Sequence, residues 1–129
     1  PLHRAAEGGH KALIKHLLDA GVDLEARGWY QWTSLHYAVR CPLSASSIAL
    51  QHFLAVGAFL EACDEDQRTP LHIAAARLGK NERMQQLLAA GADVQARDKD
   101  GWTPLHHAAC HAEEANVQRL LKANANPNA

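Results

Sequence analysis

The sequence predicts an all-α fold made by stacking four similar helical units. One short phrase recurs: Pro1-Leu2-His3-Arg4-Ala5-Ala6, Thr33-Ser34-Leu35-His36-Tyr37-Ala38, Thr69-Pro70-Leu71-His72-Ile73-Ala74 and Thr103-Pro104-Leu105-His106-His107-Ala108, its leucines 33, 36 and 34 residues apart. A second helix-periodic run follows each phrase, typified by Ala12-Leu13-Ile14-Lys15-His16-Leu17-Leu18. Each run then meets a residue that tolerates a left-handed backbone, Gly21, Gly57, Gly91 or Asn124.

The elements can be justified in order. A Pro in the first helical turn loses no hydrogen bond, because that N–H would have no intrahelical partner, and its fixed φ already suits a helix. The Thr before it is an N-cap. The first helix is short and Ala-rich, so neighbouring helices can approach closely, while Leu35, Leu71 and Leu105 fill the space between layers. The second helices continue as Ile48-Ala49-Leu50-Gln51-His52-Phe53-Leu54, Met84-Gln85-Gln86-Leu87-Leu88 and Val117-Gln118-Arg119-Leu120-Leu121. No unit can bury its apolar face alone, so stability must come from stacking.

These motifs resemble the ankyrin repeat, whose signature is T-P-L-H-x-A-A, a second helix ending L-L-x-x-G-A-D, and a D-x-x-G-x hairpin before the next repeat. The match covers the whole chain as one domain of four units, roughly 1–32, 33–68, 69–102 and 103–129. The resemblance implies an ankyrin-repeat solenoid with β-hairpin fingers projecting from stacked helix-turn-helix units. It also implies that His3, His36, His72 and His106 tie each helix start to a neighbouring hairpin.

Spacing separates rigid from tolerant segments. From Gly21, Gly57 and Gly91 to the next marker leucine the distance is always 14 residues, whereas from leucine to helix end it is 19, 22, 20 and 19. The slack lies between the two helices, around Cys41–Ala45 and Leu78–Lys80. Some positions depart from the pattern. Gly28 stands for the hairpin Asp, Gln31 and Gln67 for the hairpin Gly, Ser34 for Pro, and Phe59 for the Asp of G-A-D. A Gln must there enter a positive φ that Gly takes freely. At the hairpin position that is a hydroxylated Asn in many ankyrin proteins, this chain has Glu25, Glu61, Gln95 and Asn128. The polar Asn116 and Arg119 on the last helix suggest a solvent-facing cap, while Asn126-Pro127-Asn128-Ala129 reads as the start of another hairpin. Further repeats or another domain are therefore expected beyond this sequence.

Composition excludes several function classes. With 13 basic and 14 acidic side chains and a net charge of −1, nothing in the global field favours nucleic acid or a membrane surface. Three scattered cysteines read as reduced thiols in a cytoplasmic or nuclear protein. No nucleophile elbow, phosphate-cradling loop or zinc-protease motif is present, so no enzyme activity and no cofactor are expected. His107, Cys110 and His111, at i, i+3 and i+4, share one helix face and form an alternative metal-ligand set.

What remains is recognition. By the ankyrin pattern the finger tips are Trp29-Tyr30, Glu65-Asp66 and Lys99-Asp100, and the residue before each Thr is Trp32, Arg68 or Trp102. Inner-face positions of the first helices include Tyr37, Arg40, Arg77, His107 and His111. All 3 tryptophans and both tyrosines fall in these sets, and Trp, Tyr and Arg dominate binding energy at protein interfaces. The expected partner-binding residues are Trp29, Tyr30, Trp32, Tyr37, Arg40, Arg68, Arg77, Trp102, His107 and His111. The expected partner is another protein, with an acidic or phosphorylated stretch facing the basic trim, bound by a monomer. A competing reading has Trp32 and Trp102 merely pack across neighbouring fingers. Another makes the chain the targeting arm of a larger enzyme or ubiquitin-ligase adaptor.

Overall fold

The computed structural model describes residues 11–21, 23, 25–40, 46–76, 82–111 and 114–123. Seven α-helices lie among them: α1 (Lys11–Asp19), α2 (Ser34–Arg40), α3 (Ser46–Ala55), α4 (Pro70–Ala75), α5 (Glu82–Ala89), α6 (Pro104–Cys110) and α7 (Glu114–Lys122). No β-strand is found among the described residues. The variable inter-helix segments at Cys41–Ala45 and Leu78–Lys80, the opening repeat phrase and the closing Asn126–Ala129 lie outside them.

The chain divides into two compact parts, Pro1–Phe59 and Leu60–Ala129. In the first, α2 and α1 both pack on α3. Ile14, Leu35, Ala38, Val39, Ala49, Leu50 and Phe53 are at most 1% exposed and form its core. In the second, α4 packs on α5 and on α6, and α6 on α7. Here Leu71, Ala74, Ala75, Met84, Leu87, Ala108 and Leu120 are buried. The marker leucines thus fill the layers, and the alanines bring helices together.

The helix starts follow from local chemistry. Thr69 and Thr103 hold extended N-cap backbones (ψ 166° and 168°), with Pro70 and Pro104 in the first turn. Each Thr side chain accepts the backbone N–H of the third helical residue, His72 or His106, and the His ring of that residue accepts the Thr N–H, a reciprocal capping box. Thr69 N–H reaches His72 Nδ1 at 3.1 Å and Thr103 N–H reaches His106 Nδ1 at 3.0 Å. Thr33 N–H donates to His36 Nδ1 at 3.1 Å in the same way, although Ser34 replaces the Pro.

The second helices end as expected. Gly57 (φ 85°) and Gly91 (φ 95°) donate to the Leu54 and Leu88 carbonyls, and the next residues, Ala58 and Ala92, donate to Phe53 and Leu87. This bond pair closes a Schellman cap, with both alanines buried against the core. Asn124, the fourth stop, is outside the described residues.

Each finger is a tight turn closed by two backbone bonds. Asp64 N–H donates to Arg68 O and Gln67 N–H to Asp64 O; Asp98 and Gly101 repeat this with Trp102 and Asp98, and Gly28 and Gln31 with Trp32 and Gly28. Gln31 (φ 62°) and Gln67 (φ 60°) do take the left-handed conformation that Gly101 (φ 79°) occupies. The finger ahead of Thr33 differs once more, because Tyr30 is also left-handed (φ 58°, ψ 19°). The missing carboxylate explains this. Asp64 Oδ1 accepts the N–H groups of Asp66 and Arg68, each at 2.9 Å, and Asp98 Oδ1 those of Asp100 and Trp102 at 2.9 and 3.0 Å. Gly28 offers no such acceptor, so nothing holds the third turn residue right-handed.

The hairpin glutamates have a structural job. Glu25 Oε2 accepts Phe59 N–H and Glu61 Oε2 accepts Asp93 N–H, both at 3.0 Å, each tying one loop to the equivalent stretch of the following repeat. Asn116 corrects the cap reading of the last helix. It is fully buried, and its Nδ2 points at the Ala75 carbonyl at 3.4 Å, so this polar residue faces the preceding repeat rather than solvent.

Candidate functional site

In the first part, three aromatic residues form a run from the finger tip to the first helix. The Tyr30 and Trp32 ring centroids are 6.0 Å apart, inclined at 55°, and Trp32 meets Tyr37 edge-on at 5.2 Å and 73°. Trp32 is anchored beneath by the buried His36 ring, nearly parallel at 6.1 Å and 17°. Tyr30 is 61% exposed, Trp32 and Tyr37 are half-buried, and Arg40, one turn after Tyr37, is exposed. Arg27 braces the finger by donating to the Gln31 carbonyl at 2.9 Å. Trp29 lies in the short 3-10 turn Trp29–Gln31, but its side chain is outside the described residues.

In the second part, the finger ahead of Thr69 and the finger ahead of Thr103 are joined. Lys99 N–H donates to the Asp66 carbonyl at 3.0 Å, and Lys99 Nζ pairs with Asp66 Oδ1 at 2.8 Å. That hydrogen bond holds the Asp66 carboxyl below its ordinary range and the Lys99 ammonium above its own. Arg68 Nε lies 3.8 Å from Asp98 Oδ2, so part of the expected basic trim is already neutralised within the protein. Trp102 is 38% exposed, with its ring against His106 and, edge-on at 5.2 Å, against His107. Arg77 is outside the described residues.

His107 has a different environment from that expected of an inner-face contact residue. It is 7% exposed, and its Nε2 donates to Asp98 Oδ2 at 2.8 Å. Burial pushes the Asp98 carboxyl up, but the His107 hydrogen bond and the Trp102 and Asp100 N–H groups outweigh it, and the group sits below the usual carboxylate range. His72 is equally committed. With Nδ1 accepting Thr69 N–H, the ring proton is on Nε2 and is donated to the Trp102 carbonyl at 2.9 Å. Burial is the main reason its pKa lies below that of an ordinary histidine. This bond bears out the tie between a repeat's His and the following finger.

The metal-ligand set suggested by spacing does not assemble. Among the described residues the convergent group is His72, Asp98 and His107, whose donor atoms lie within 4.8 Å of one another, and it excludes Cys110 and His111. Sharing a helix face does not make side chains converge: His107 turns inward to Asp98, Cys110 is exposed, and His111 Nδ1 folds back to donate to the His107 carbonyl at 2.9 Å. The convergent trio does not fit a metal either. Both nitrogens of His72 are engaged, and the Asp98 oxygen facing His107 already has the Arg68 guanidinium nearby. The arrangement is a hydrogen-bond network that fixes a finger on a helix start. Sequence reasoning named His107 but missed its Asp98 partner; the signal available was an Asp of the D-x-x-G turn nine residues before a second histidine.

No described helix is long and apolar enough to cross a membrane. Comparison with known proteins places these features in a family. The model described as ankyrin repeats (3 copies) matches residues 43–129, and the one described as ankyrin repeats (many copies) matches residues 2–41. The chain is 45% identical over 74 residues, 57% of its length, to a transient receptor potential cation channel subfamily A member 1 homolog of Caenorhabditis elegans, of which that stretch is 6%. It is 31% and 32% identical over 81 residues, 63% of its length, to the ankyrin repeat, SAM and basic leucine zipper domain-containing protein 1 of Ovis aries and of Equus caballus, covering 16% of each. The chain therefore spans only a small fraction of these relatives. Matches of the family models along essentially the whole sequence, together with capped helix pairs and closed finger turns, show that this chain belongs to the ankyrin-repeat family, an all-α repeat solenoid.

Proposed function

We propose that the chain is a recognition module that binds another protein through its finger tips and the inner face of its first helices, with no catalysis of its own. Ankyrin repeats are generally protein-interaction modules, which supports the class of function. The observation that carries the reading is where the large rings lie. The described core contains mostly aliphatic side chains, while Tyr30, Trp32, Tyr37 and Trp102 keep contact with solvent. Such residues offer large rigid area at low entropic cost.

The proposed contact set is Trp29, Tyr30, Trp32, Tyr37 and Arg40 in the first part, and Arg68, Arg77, Trp102 and His111 in the second. His107 belongs to it by setting the Trp102 ring rather than by touching the partner. An acidic or phosphorylated partner segment fits Arg40 best, since Asp98 already draws on the charge of Arg68. The module would act as a monomer in the cytoplasm or nucleus, as one arm of a longer protein.

An affinity capture from lysate of the source cell tests this. The wild type is compared with a Trp29→Ala, Trp32→Ala, Trp102→Ala variant whose helical circular dichroism is intact. Partners retained by the wild type and lost by the variant support the reading. Identical partners from both would move the site away from these rings.

A further inference from the structure

We propose that the C-terminal ends of α1 and α3 carry a second docking surface, an apolar cavity with an acidic border that takes one bulky apolar side chain of a partner segment rich in lysine or arginine. It uses none of the finger residues and stands independently of the partner-binding reading above.

Two residues of the second unit break a pattern that the other units keep. Just before the helix-ending position the chain has Ala20, Ala90 and Ala123, but Val56; two residues after it come Asp23, Asp93 and Asn126, but Phe59. The fold calls for neither change. Ala20 and Ala90 are exposed, and so is Val56, at 53%, so no core space there needs a larger side chain. Phe59 is 58% exposed and stands where an acceptor belongs: Asp23 Oδ1 and Asp93 Oδ1 hold the N–H groups of Glu25 and Gln95, each at 2.9 Å. A phenyl ring cannot accept that bond. The second unit thus gives up a turn hydrogen bond and leaves two apolar side chains in water, and only contact with a partner repays such an arrangement.

The space beside Val56 sets the size of the occupant. A cavity of about 180 Å³ is lined by Lys15, Leu18 and Asp19 of α1 together with His52 and Val56. Cofactors and drug-sized molecules need roughly 300–1,000 Å³. A benzene ring, by contrast, fits a void of about 150 Å³, so this cavity suits a single aromatic or branched aliphatic side chain.

Charge selects the rest of the partner. Asp19 lines the cavity, Asp23 Oδ1 holds the Glu25 N–H, and Glu25 Oε2 accepts the Phe59 N–H at 3.0 Å, so carboxylates run from the cavity to the Phe59 backbone. Their donors here are neutral N–H groups, which leave the negative charges in place. Both α1 and α3 end beside this surface and add the negative poles of their dipoles. Lys15 opposes them from the cavity wall, while Arg27 donates to the Gln31 carbonyl of the finger. The balance favours a cationic segment. A second copy of the chain would set like carboxylates against each other, and an anionic lipid surface would be repelled.

For the test, the intact chain is the target for a random twelve-residue peptide library displayed on phage, a Val56→Ala, Phe59→Asn variant is the counter-target, and one enriched peptide is synthesised and titrated. Both substitutions install residues that sister units carry at those places, so helical circular dichroism and Tm should be kept. Enriched peptides should combine a bulky apolar residue with lysine or arginine. Their affinity should fall at least about tenfold on the double variant. Asp19→Lys, a charge suited to a helix C-terminus, should weaken them several-fold, and less so at high salt. The Trp29→Ala, Trp32→Ala, Trp102→Ala variant should bind them as the wild type does, which separates this surface from the fingers. Equal affinity for wild type and double variant would overturn the proposal, as would unchanged binding by Asp19→Lys or enriched peptides that are acidic or lack a bulky apolar residue. A lower Tm of the double variant with unchanged affinity would make Val56 and Phe59 packing residues. Self-association in sedimentation equilibrium that the double variant abolishes would assign the surface to a second copy instead. An absence of any enriched peptide counts against the proposal and leaves the finger reading to the lysate capture.

Discussion

Asp98 holds its finger and the following helix with one carboxylate: Oδ1 takes the N–H groups of Asp100 and Trp102, and Oδ2 takes Nε2 of His107 at 2.8 Å. Its side chain is 2% exposed. Asp98→Ala leaves two backbone donors and a buried imidazole without their acceptor. We expect a loss of about 3 kcal/mol in urea unfolding. Asp98→Asn keeps an acceptor for the turn and should lose distinctly less. Equal loss from both would mean that the charge, not the turn, is what matters.

Gly28 takes no positive φ, so an Asp can occupy its backbone without strain. Gly28→Asp would supply the finger ahead of Thr33 with the acceptor that Asp64 and Asp98 provide in theirs. It should return Tyr30 to the right-handed region and raise stability by about 1 kcal/mol, partly by restricting the unfolded chain. The Tyr30 backbone couplings measured by NMR check the conformational half of this expectation.

Gln67 and Gly101 occupy the same turn position at φ 60° and 79°. A Cβ at Gly101 would meet nothing within 4 Å, so the cost of a side chain there is purely one of backbone strain. Gln67→Gly should therefore stabilise by about 0.5 kcal/mol and Gly101→Gln destabilise by about 1 kcal/mol in chemical denaturation. Changes of the same sign in both would contradict the shared geometry.

Ser34 sits where the other three repeats carry Pro, and its buried Oγ has no hydrogen-bond partner among the described residues. Ser34→Pro removes that hydroxyl and fixes φ at the first helical position. Differential scanning calorimetry should show a higher Tm, equivalent to about 1 kcal/mol.

Acid should destabilise the chain in two separate windows. His72 has a lowered pKa in the fold, so between its unfolded value, about 6.5, and its folded one the unfolded chain binds more protons. Its contribution is complete above that upper limit and shrinks as pH falls below it. Asp98, whose folded pKa is depressed, contributes above its unfolded value near 3.8 and loses that contribution only as pH drops further. Urea midpoints between pH 7.5 and 5 should fall, and His72→Gln should flatten that slope while leaving the lower window in place.

Most of the fold is legible because its signals are local. A Thr, a Pro and a His within four residues specify a helix start, and Gly57 and Gly91 specify an end, whatever surrounds them. Even the left-handed Gln31 and Gln67 follow from their alignment with Gly101. Tertiary partners are less visible. Spacing puts His107, Cys110 and His111 on one side of a helix but cannot say that Asp98 folds back to claim the first of them. Asn116 looks like a solvent-facing cap residue because its polarity is evident in the sequence, whereas its burial beside Ala75 depends on a residue 41 positions away.

His72 grips the backbone carbonyl of Trp102, not its indole. Every side chain leaves that carbonyl in the same place. The residue just before a repeat's Thr can thus change its identity without loosening the bond that couples one repeat to the next. Trp102 and its counterpart Arg68, already so unlike, mark a position where new specificities can be tried at little risk to folding. In this architecture the machinery of cohesion is written in the main chain, and the vocabulary of recognition is left free to drift.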